Sequence, residues 1–230
     1  MALDAIVLAA GQGTRMKSSK AKVLHEIAGR PMLEHVVLTA RSLDAERIAV
    51  VVGHQKEAVK KSFKTHSSSD LVWVDQNERL GTGHAARLAL EELDTKNSVI
   101  VLYGDVPLLG KNSLKACIEE ADRGHLAVLV AELSEPAGLG RILRDSQGSV
   151  SEIIEEKDAS PEQQDIHEIN TGIIAAPGVV LMELILQIDN KNSQAEYYLT
   201  DVVAEAYRRG ISVVGVSAEN EFEIKGVNDM

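Results

Sequence analysis

Short runs of apolar, mainly β-branched residues alternate with stretches of helical periodicity along the first half of the chain. The apolar runs predict strands at 5–9, 48–52, 71–74, 99–103 and 126–130. The stretches between them predict helices at about 31–42, 55–63, 83–93 and 111–123. Alternation of this kind is typical of right-handed crossovers, which build a mainly parallel sheet with helices on both faces.

The pattern changes after about residue 138. It predicts short strands at 141–143, 150–155 and 169–175, helices at 179–188 and 200–209, and a closing strand at 211–216. We find neither a low-complexity linker nor an internal repeat. The sequence therefore predicts one α/β domain over 1–230, a doubly wound sheet with a smaller lobe. Ligands bind beyond the carboxyl ends of the strands in such sheets, so the loops after residues 8, 74 and 103 should form the site.

Composition and charge exclude several classes of protein. Only 3% of the 230 residues are aromatic, so the core must be built from Val, Ile, Leu and Ala. The net charge of -11 argues against a nucleic-acid partner, whose binding would depend on an excess of Lys and Arg. No apolar run approaches the roughly 18 residues that span a bilayer, and the N-terminus lacks the pattern of a signal peptide. The single cysteine, Cys117, cannot form an internal disulfide. We expect a soluble, cytoplasmic protein without membrane contacts.

Residues 8–16 (LAAGQGTRM) follow the first predicted strand and are the strongest candidate for phosphate binding. Gly11 and Gly13 would allow backbone amides to approach an anion. Cations are concentrated nearby, at Arg15, Lys17, Lys20 and Lys22. A solvated basic loop would give the same pattern. The dinucleotide-binding fingerprint is excluded because no third glycine follows, and the P-loop motif of NTPases does not occur in the chain.

Two further predicted loops carry candidate chemistry. Asp105, in the segment YGDVP at the exit of a strand, could hold Mg²⁺ against phosphate oxygens, with a turn or cap aspartate as the alternative. In residues 76–84 (QNERLGTGH), the Gln76 amide could pair with a nucleobase edge through a donor and an acceptor together. Gly81 would let the base approach the backbone. A strand–helix loop capped by Thr82 is the alternative, and His84, without an evident acid–base partner, is interpreted as structural.

These segments together resemble the sugar-phosphate nucleotidyltransferases. The resemblance includes residues 8–16, 22–25 (KVLH), 80–85 (LGTGHA) with Gln76, and 103–107 (YGDVP). Later segments narrow it: 138–142 (GLGRI), 154–158 (IEEKD), 168–172 (EINTG), 196–201 (EYYLTD) and 226–228 (GVN). They resemble the uridylyltransferase half of the bacterial bifunctional N-acetylglucosamine-1-phosphate uridylyltransferases/glucosamine-1-phosphate acetyltransferases. The match covers essentially the whole chain and implies a Rossmann-like fold of the nucleotide-diphospho-sugar transferase type, with a smaller sugar-binding lobe.

The resemblance implies a role for each matching residue. Nucleotide binding is implied for Leu8, Ala10, Gly11, Gln76, Gly81, Thr82 and Tyr103. Phosphate binding and catalysis are implied for Arg15 and Lys22, and Mg²⁺ binding for Asp105 and Asn228. Binding of the sugar phosphate is implied for Gly140, Glu155, Asn170 and Thr200. The implied substrates are UTP and N-acetylglucosamine-1-phosphate, and the products are UDP-N-acetylglucosamine and pyrophosphate.

The chain departs from the family pattern in three places. Ala21 replaces the usual proline before Lys22, and Ala195 stands where the family usually has glycine. The family also continues into a left-handed β-helix that carries acetyl transfer and trimer contacts, whereas this sequence ends at Met230. We therefore expect uridylyl transfer without acetyl transfer, and a monomer or weak dimer.

The implied reaction is an in-line attack of a sugar-phosphate oxygen on the α-phosphorus of UTP. Since that oxygen is already ionised at neutral pH, no general base is needed, and positioning with charge stabilisation should supply most of the catalysis. Two alternatives stay open at this point. One is the same chemistry with another base or sugar, and the other is a catalytically silent module that binds nucleotide sugars.

Overall fold

A computed structural model describes residues 1–11, 18, 20–63 and 69–226. The strands are β1 (Leu3–Ala9), β2 (Glu26–Ile27), β3 (Arg30–Pro31), β4 (Arg47–Val52), β5 (Leu71–Asp75), β6 (Ser98–Tyr103), β7 (Leu126–Glu132), β8 (Arg141–Arg144), β9 (Val150–Ile154), β10 (Glu168–Pro177) and β11 (Val213–Ser217). The helices are α1 (Met32–Ser42), α2 (Lys56–Ser62), α3 (Thr82–Leu90), α4 (Lys111–Asp122), α5 (Pro161–Gln164), α6 (Gly178–Ile185) and α7 (Asp201–Arg208).

The central sheet has the strand order β11-β7-β10-β6-β1-β4-β5. Pairing is parallel from β6 through β1 and β4 to β5, and again between β7 and β11. The predicted mainly parallel α/β fold is thus confirmed. From β1 the chain proceeds to β4 and β5 on one side and then crosses to β6 on the other, which makes the crevice between β1 and β6 the expected ligand site.

Helices cover both faces of this sheet. The strand β1 carries apolar side chains on both faces, and each face has to be buried. Ala5 and Val7 point into one core, which α1, α2 and α4 close. Ile6 and Leu8 point into the other, which α3, α6 and α7 close. All seven residues of β1 are buried. The core is aliphatic, as the low aromatic content predicts, and within the described residues no helix is long and apolar enough to cross a membrane.

The second half of the chain differs from the prediction in detail. β10 is antiparallel to β6 and β7, between which it lies, and its register with β7 shifts between Asn170 and Ile174. β8 and β9 form a hairpin that joins the same sheet through β10, so the expected smaller lobe is an extension of the main sheet. The apolar pattern predicts these strands, but it carries no information on their direction.

Besides a short 3-10 helix at Lys22–Leu24, two small elements were not predicted. The β2–β3 hairpin has strands of two residues each, too short to show any periodicity. Helix α5 does have a sequence signal, a capping box. The Ser160 side chain accepts a hydrogen bond from the Gln163 backbone, the Gln163 side chain accepts one from the Ser160 backbone, and Pro161 starts the helix. Its first turn contains no buried residue, so the hydrophobic pattern missed it.

The departure at Ala195 has a backbone consequence. Ala195 has φ +53°, in the left-handed region that favours glycine. It closes a turn in which its amide donates to the Asn192 carbonyl at 3.1 Å. Its side chain is exposed, so the methyl group adds strain to the turn without contributing core packing.

We expect Ala195→Gly to stabilise the protein by roughly 0.5 kcal/mol, because relief of left-handed strain exceeds the entropy that glycine adds to the unfolded chain. Equilibrium unfolding in urea would measure it. Ala204→Gly, in the middle of α7, is the matched control and should destabilise by about 1 kcal/mol. Loss of stability in both variants would contradict strain at Ala195.

Candidate active site

A cavity of about 550 Å³ lies at the carboxyl ends of β1, β5 and β6, the edge expected from the topology. It brings together every described residue predicted for the nucleotide and its phosphates. These are Leu8, Ala10, Gly11, Lys22, Gln76, Gly81, Thr82, Tyr103 and Asp105. Sequence reasoning missed Arg79 and Glu196, which also line it. The spacing of charged residues in loops gave no signal that would single out these two.

Lys22 and Asp105 form an ion pair on the wall of this cavity, with Nζ 2.5 Å from Oδ2. Asp105 is the second residue after β6, and Lys22 is the first residue of a short 3-10 helix whose other two residues are buried. Ala21, where the family usually has proline, has φ -54°, a value that proline would also adopt. The substitution therefore leaves the approach of Lys22 to the cavity unchanged.

The remaining predicted phosphate and metal residues, Arg15 and Asn228, lie outside the described residues. Among those that the structure describes, no group of three or more His, Cys, Asp and Glu side chains could hold a metal ion. Asp105 is the predicted metal ligand that lines the cavity. One carboxylate is compatible with Mg²⁺, because this ion takes one or two carboxylates and completes its shell with substrate phosphates and water.

Gln76 also lines the cavity, and the residue is 5% exposed. Its Nε2 atom donates to the Gly81 carbonyl oxygen at 3.1 Å and lies 3.1 Å from Nδ1 of His84. The predicted pairing of Gln76 with a base through a donor and an acceptor together is therefore not available in this conformation. When the His84 ring carries its hydrogen on Nε2, both amide hydrogens bond within the protein and the oxygen is left as the acceptor.

A strap formed by residues 196–199 fixes the loop between β5 and α3. Tyr197 donates its amide to the Leu80 carbonyl at 2.7 Å, and its own carbonyl accepts from Gly83 at 2.8 Å. Gly81 has φ +109°, and a Cβ there would lie 2.8 Å from the Tyr197 nitrogen. Thr82 does not cap its helix; its hydroxyl accepts from the Leu199 amide at 3.0 Å. The loop is held by the strap rather than by a helix cap.

The residues predicted for the sugar phosphate form a second group beyond Tyr103. The Thr200 hydroxyl donates to Oε1 of Glu155 at 3.0 Å instead of capping α7. The Asn170 backbone amide donates to the Gly140 carbonyl at 2.8 Å, and the Asn170 side-chain oxygen accepts from the Gly172 backbone amide at 2.9 Å. All four predicted residues, Gly140, Glu155, Asn170 and Thr200, are therefore joined in two bonded pairs.

Tyr103 separates the two groups. Its ring packs against Gly172, where a Cβ would lie 2.6 Å from Cε2, and Gly172 has φ +89°. Desolvation, with the negative charges of Glu155 and Asp105, raises the pKa of the Tyr103 phenol. The hydroxyl is therefore neutral, and it shares a hydrogen bond with the Thr82 side chain.

Acidic groups surround the second group. Burial raises the pKa of Glu155, and the hydrogen bond from Thr200 opposes that shift. Asp201, which sequence reasoning missed, has its pKa raised to about 6, mainly by burial and then by the charge of Glu155. It belongs to the segment 196–201, and only the folded chain brings the charge of Glu155 close to it. A ligand here meets hydrogen-bond acceptors, which suits sugar hydroxyl and amide groups.

Comparison with known proteins finds relatives that match the whole chain. The chain is 48% identical over 229 residues to the Bifunctional protein GlmU of Nitrosococcus oceani, covering 100% of this chain and 50% of that protein. It is 48% identical over 227 residues to the protein of the same name from Marinobacter nauticus, covering 99% of this chain and 49% of the relative. The chain thus spans about half the length of the curated relatives that it matches.

Solved structures share the fold at much lower identity. A UDP-glucose pyrophosphorylase complexed with UDP-glucose superposes with a TM-score of 0.79 at 17% identity, covering 98% of this chain and 94% of that one. The inositol-1-phosphate CTP transferase from T. maritima gives a TM-score of 0.72 at 20% identity, covering 93% of this chain and 84% of that one. Both support the Rossmann-like nucleotidyltransferase fold and, at this identity, the fold alone.

The resemblance read from the sequence motifs is confirmed by the relatives. A family model for the MobA-like NTP transferase domain matches residues 5–159, which include most of β1, the loop after β5 and Asp105. The chain belongs to the family of MobA-like NTP transferase domains.

Proposed function

We propose that this chain is a uridylyltransferase that converts UTP and N-acetylglucosamine-1-phosphate to UDP-N-acetylglucosamine and pyrophosphate. The observation that carries the proposal is the single cavity in which Lys22, Asp105 and Gln76 converge. A phosphate-binding cation, a carboxylate and a base-facing amide are what a nucleoside triphosphate requires. Identity of 48% to the bifunctional GlmU protein of Nitrosococcus oceani supports the choice of sugar and base.

Both substrates are anions, so the barrier consists largely of charge repulsion and alignment. Lys22 is placed to neutralise phosphate charge as pyrophosphate leaves, and we assign the same role to Arg15 from the sequence motif. The attacking phosphate oxygen is ionised at neutral pH, so the cavity needs no base. Its lining contains no histidine or cysteine among the described residues, which agrees with such a reaction.

We assign Mg²⁺ to Asp105 and, from the sequence motif, Asn228. When bound, the ion would offset the negative charge on the phosphates and help to align them. The ion pair between Lys22 and Asp105 bears on this assignment, because a cation already sits 2.5 Å from one carboxylate oxygen. Binding of substrate and ion would then redirect Lys22 from the carboxylate to the phosphates.

The sugar phosphate is assigned to the second group of residues. Glu155 and the Asn170 side chain supply acceptors for hydroxyl and N-acetyl groups, and Thr200 holds the Glu155 carboxylate in place. Tyr103 connects this group to the nucleotide cavity. The assignment predicts a ligand that extends from Gln76 past Tyr103 to Glu155.

The partners that follow are UTP, the sugar phosphate and the two products, with neither nucleic acid nor membrane. Cytoplasmic location and a monomer or weak dimer stay predictions from the sequence. Pyrophosphate release with a panel of nucleoside triphosphates and sugar-1-phosphates would test the function directly. Preference for UTP with N-acetylglucosamine-1-phosphate supports it, a different preferred pair would reassign the substrates, and no release with any pair would favour a silent binding module.

Asp105→Asn should lower turnover by on the order of 100-fold or more, because the change removes a carboxylate from the reacting phosphates while preserving the side-chain shape. Initial rates of pyrophosphate release at saturating Mg²⁺ would measure this. Asp94→Asn, at an exposed position in the loop before β6, is the matched control and should leave the rate unchanged. A near-normal rate for Asp105→Asn, or a wild-type rate that survives chelation of Mg²⁺, would refute the metal assignment.

As the pH falls, the KM for N-acetylglucosamine-1-phosphate should begin to rise at a higher pH in Thr200→Val than in the wild type. The ionised Glu155 is the proposed acceptor for the sugar, its pKa is raised by burial, and the Thr200 hydrogen bond lowers it. Losing that bond raises the pKa further, so acid removes the acceptor sooner as pH falls. Initial rates between about pH 5 and 9 test this, since protein pKa values of carboxylates reach this window when buried.

The comparison with wild type cancels the titration of the substrate's own phosphate. KM for UTP should show the same pH dependence in both proteins, because Thr200 does not line the nucleotide cavity. Thr95→Val, in the loop that leads into the amino end of β6, should match the wild type throughout. Identical profiles for Thr200→Val and wild type would exclude Glu155 as the titrating acceptor.

A further inference from the structure

We propose that His84 sets the base selectivity of the nucleotide cavity by holding Gln76 so that only its carbonyl oxygen faces the base. The inference rests on the proposed uridylyltransferase function, which it deepens by naming a specificity-determining residue. His84 itself does not line the nucleotide cavity. It acts through Gln76 and is therefore a positioning residue.

The orientation of the Gln76 amide follows from its two partners. A backbone carbonyl only accepts, so the atom 3.1 Å from the Gly81 oxygen must be the amide nitrogen. The same nitrogen lies 3.1 Å from Nδ1 of His84, which accepts when the ring carries its hydrogen on Nε2. A primary amide has two N–H groups, and these two partners use both.

This arrangement leaves Gln76 with an acceptor and no donor for a ligand. Uracil presents an N3–H donor at its pairing edge, whereas cytosine presents a bare N3 acceptor there. The Gln76 oxygen can therefore bond uracil, but it opposes a lone pair on cytosine. A pyrimidine with a protonated N3 is selected by hydrogen-bond polarity rather than by size.

His84 keeps the second amide hydrogen of Gln76 from being offered to the base. Gln76 is only 5% exposed, so an amide hydrogen that loses its acceptor has little access to water. Without His84, one N–H becomes available, and the N3 atom of cytosine offers it an acceptor. Removing the imidazole should therefore weaken UTP binding and make CTP relatively better.

The position of His84 supports a role in holding rather than in contact. It lies in the first turn of α3, between the nucleotide cavity and a second cavity of about 350 Å³. That second cavity is lined by Leu80, Gly83, His84, Arg87, Ile185, Leu186, Ile188 and Tyr197. Room on that side of the ring allows substitutions of different shape with little clash.

The test compares His84→Leu with His84→Asn. The two new side chains have the same branching and lose the same packing, but only asparagine retains an acceptor, with Oδ1 close to the former position of Nδ1. We measure kcat/KM for UTP and for CTP with N-acetylglucosamine-1-phosphate. His84→Leu should lower the UTP-to-CTP ratio about tenfold, and His84→Asn should stay within about twofold of wild type. KM for the sugar phosphate should not change in either variant.

An unchanged ratio in His84→Leu, or an equal loss in both variants, would overturn the inference. If His84→Leu fails to fold, His84→Phe supplies the same comparison with the ring volume retained. Failure of the proposed function is distinguishable, because the wild type would then release no pyrophosphate from UTP and N-acetylglucosamine-1-phosphate. Calorimetric binding of UTP and CTP to the same proteins would still measure the ratio in that case, with the same outcomes deciding.

Discussion

The register of the three central strands depends on a buried carboxylate at the start of β1. Asp4 is fully buried; Oδ1 accepts from the Arg47 amide at 3.0 Å, and Oδ2 accepts from the Asn97 side chain at 3.1 Å. These partners lie at the beginnings of β4 and β6. Because the three strands start together, they also end together, and Leu8 comes to lie beside Tyr103. The cavity at their carboxyl ends depends on this alignment, since a shift of one residue would turn the cavity-facing side chains to the other face.

The first half of the fold follows closely from its sequence because its signals are local and strong. The apolar run at 48–52 lies within β4, and the helix predicted at 111–123 ends one residue from the observed α4. The strand at 169–175 was also predicted, but not its antiparallel direction in β10. Direction depends on how the preceding connection crosses the sheet, which no local pattern records.

For the candidate site too, the sequence predicts the residues but not the contacts between them. Residue types and motifs placed Lys22, Gln76 and Asp105 at one site, and the cavity contains all three. The partners of those residues were not predictable, because each comes from another part of the chain or from an atom without a sequence signature. The sequence favours a structural role for His84, whereas the structure has its Nδ1 atom 3.1 Å from the Gln76 amide nitrogen. Sequence identifies chemistry, whereas the hydrogen-bond polarity of an amide is visible only in three dimensions.

The strap at 196–199 also has a consequence for how two ligands influence each other. It forms hydrogen bonds with the loop between β5 and α3 at Leu80 and Thr82. The next residue, Thr200, donates to Glu155 in the second group of residues. A short peptide held at both ends cannot shift for one ligand without displacing groups that meet the other. Under the proposed assignment, the base and sugar pockets would be thermodynamically linked, so that each ligand changes the affinity for the other by the same factor.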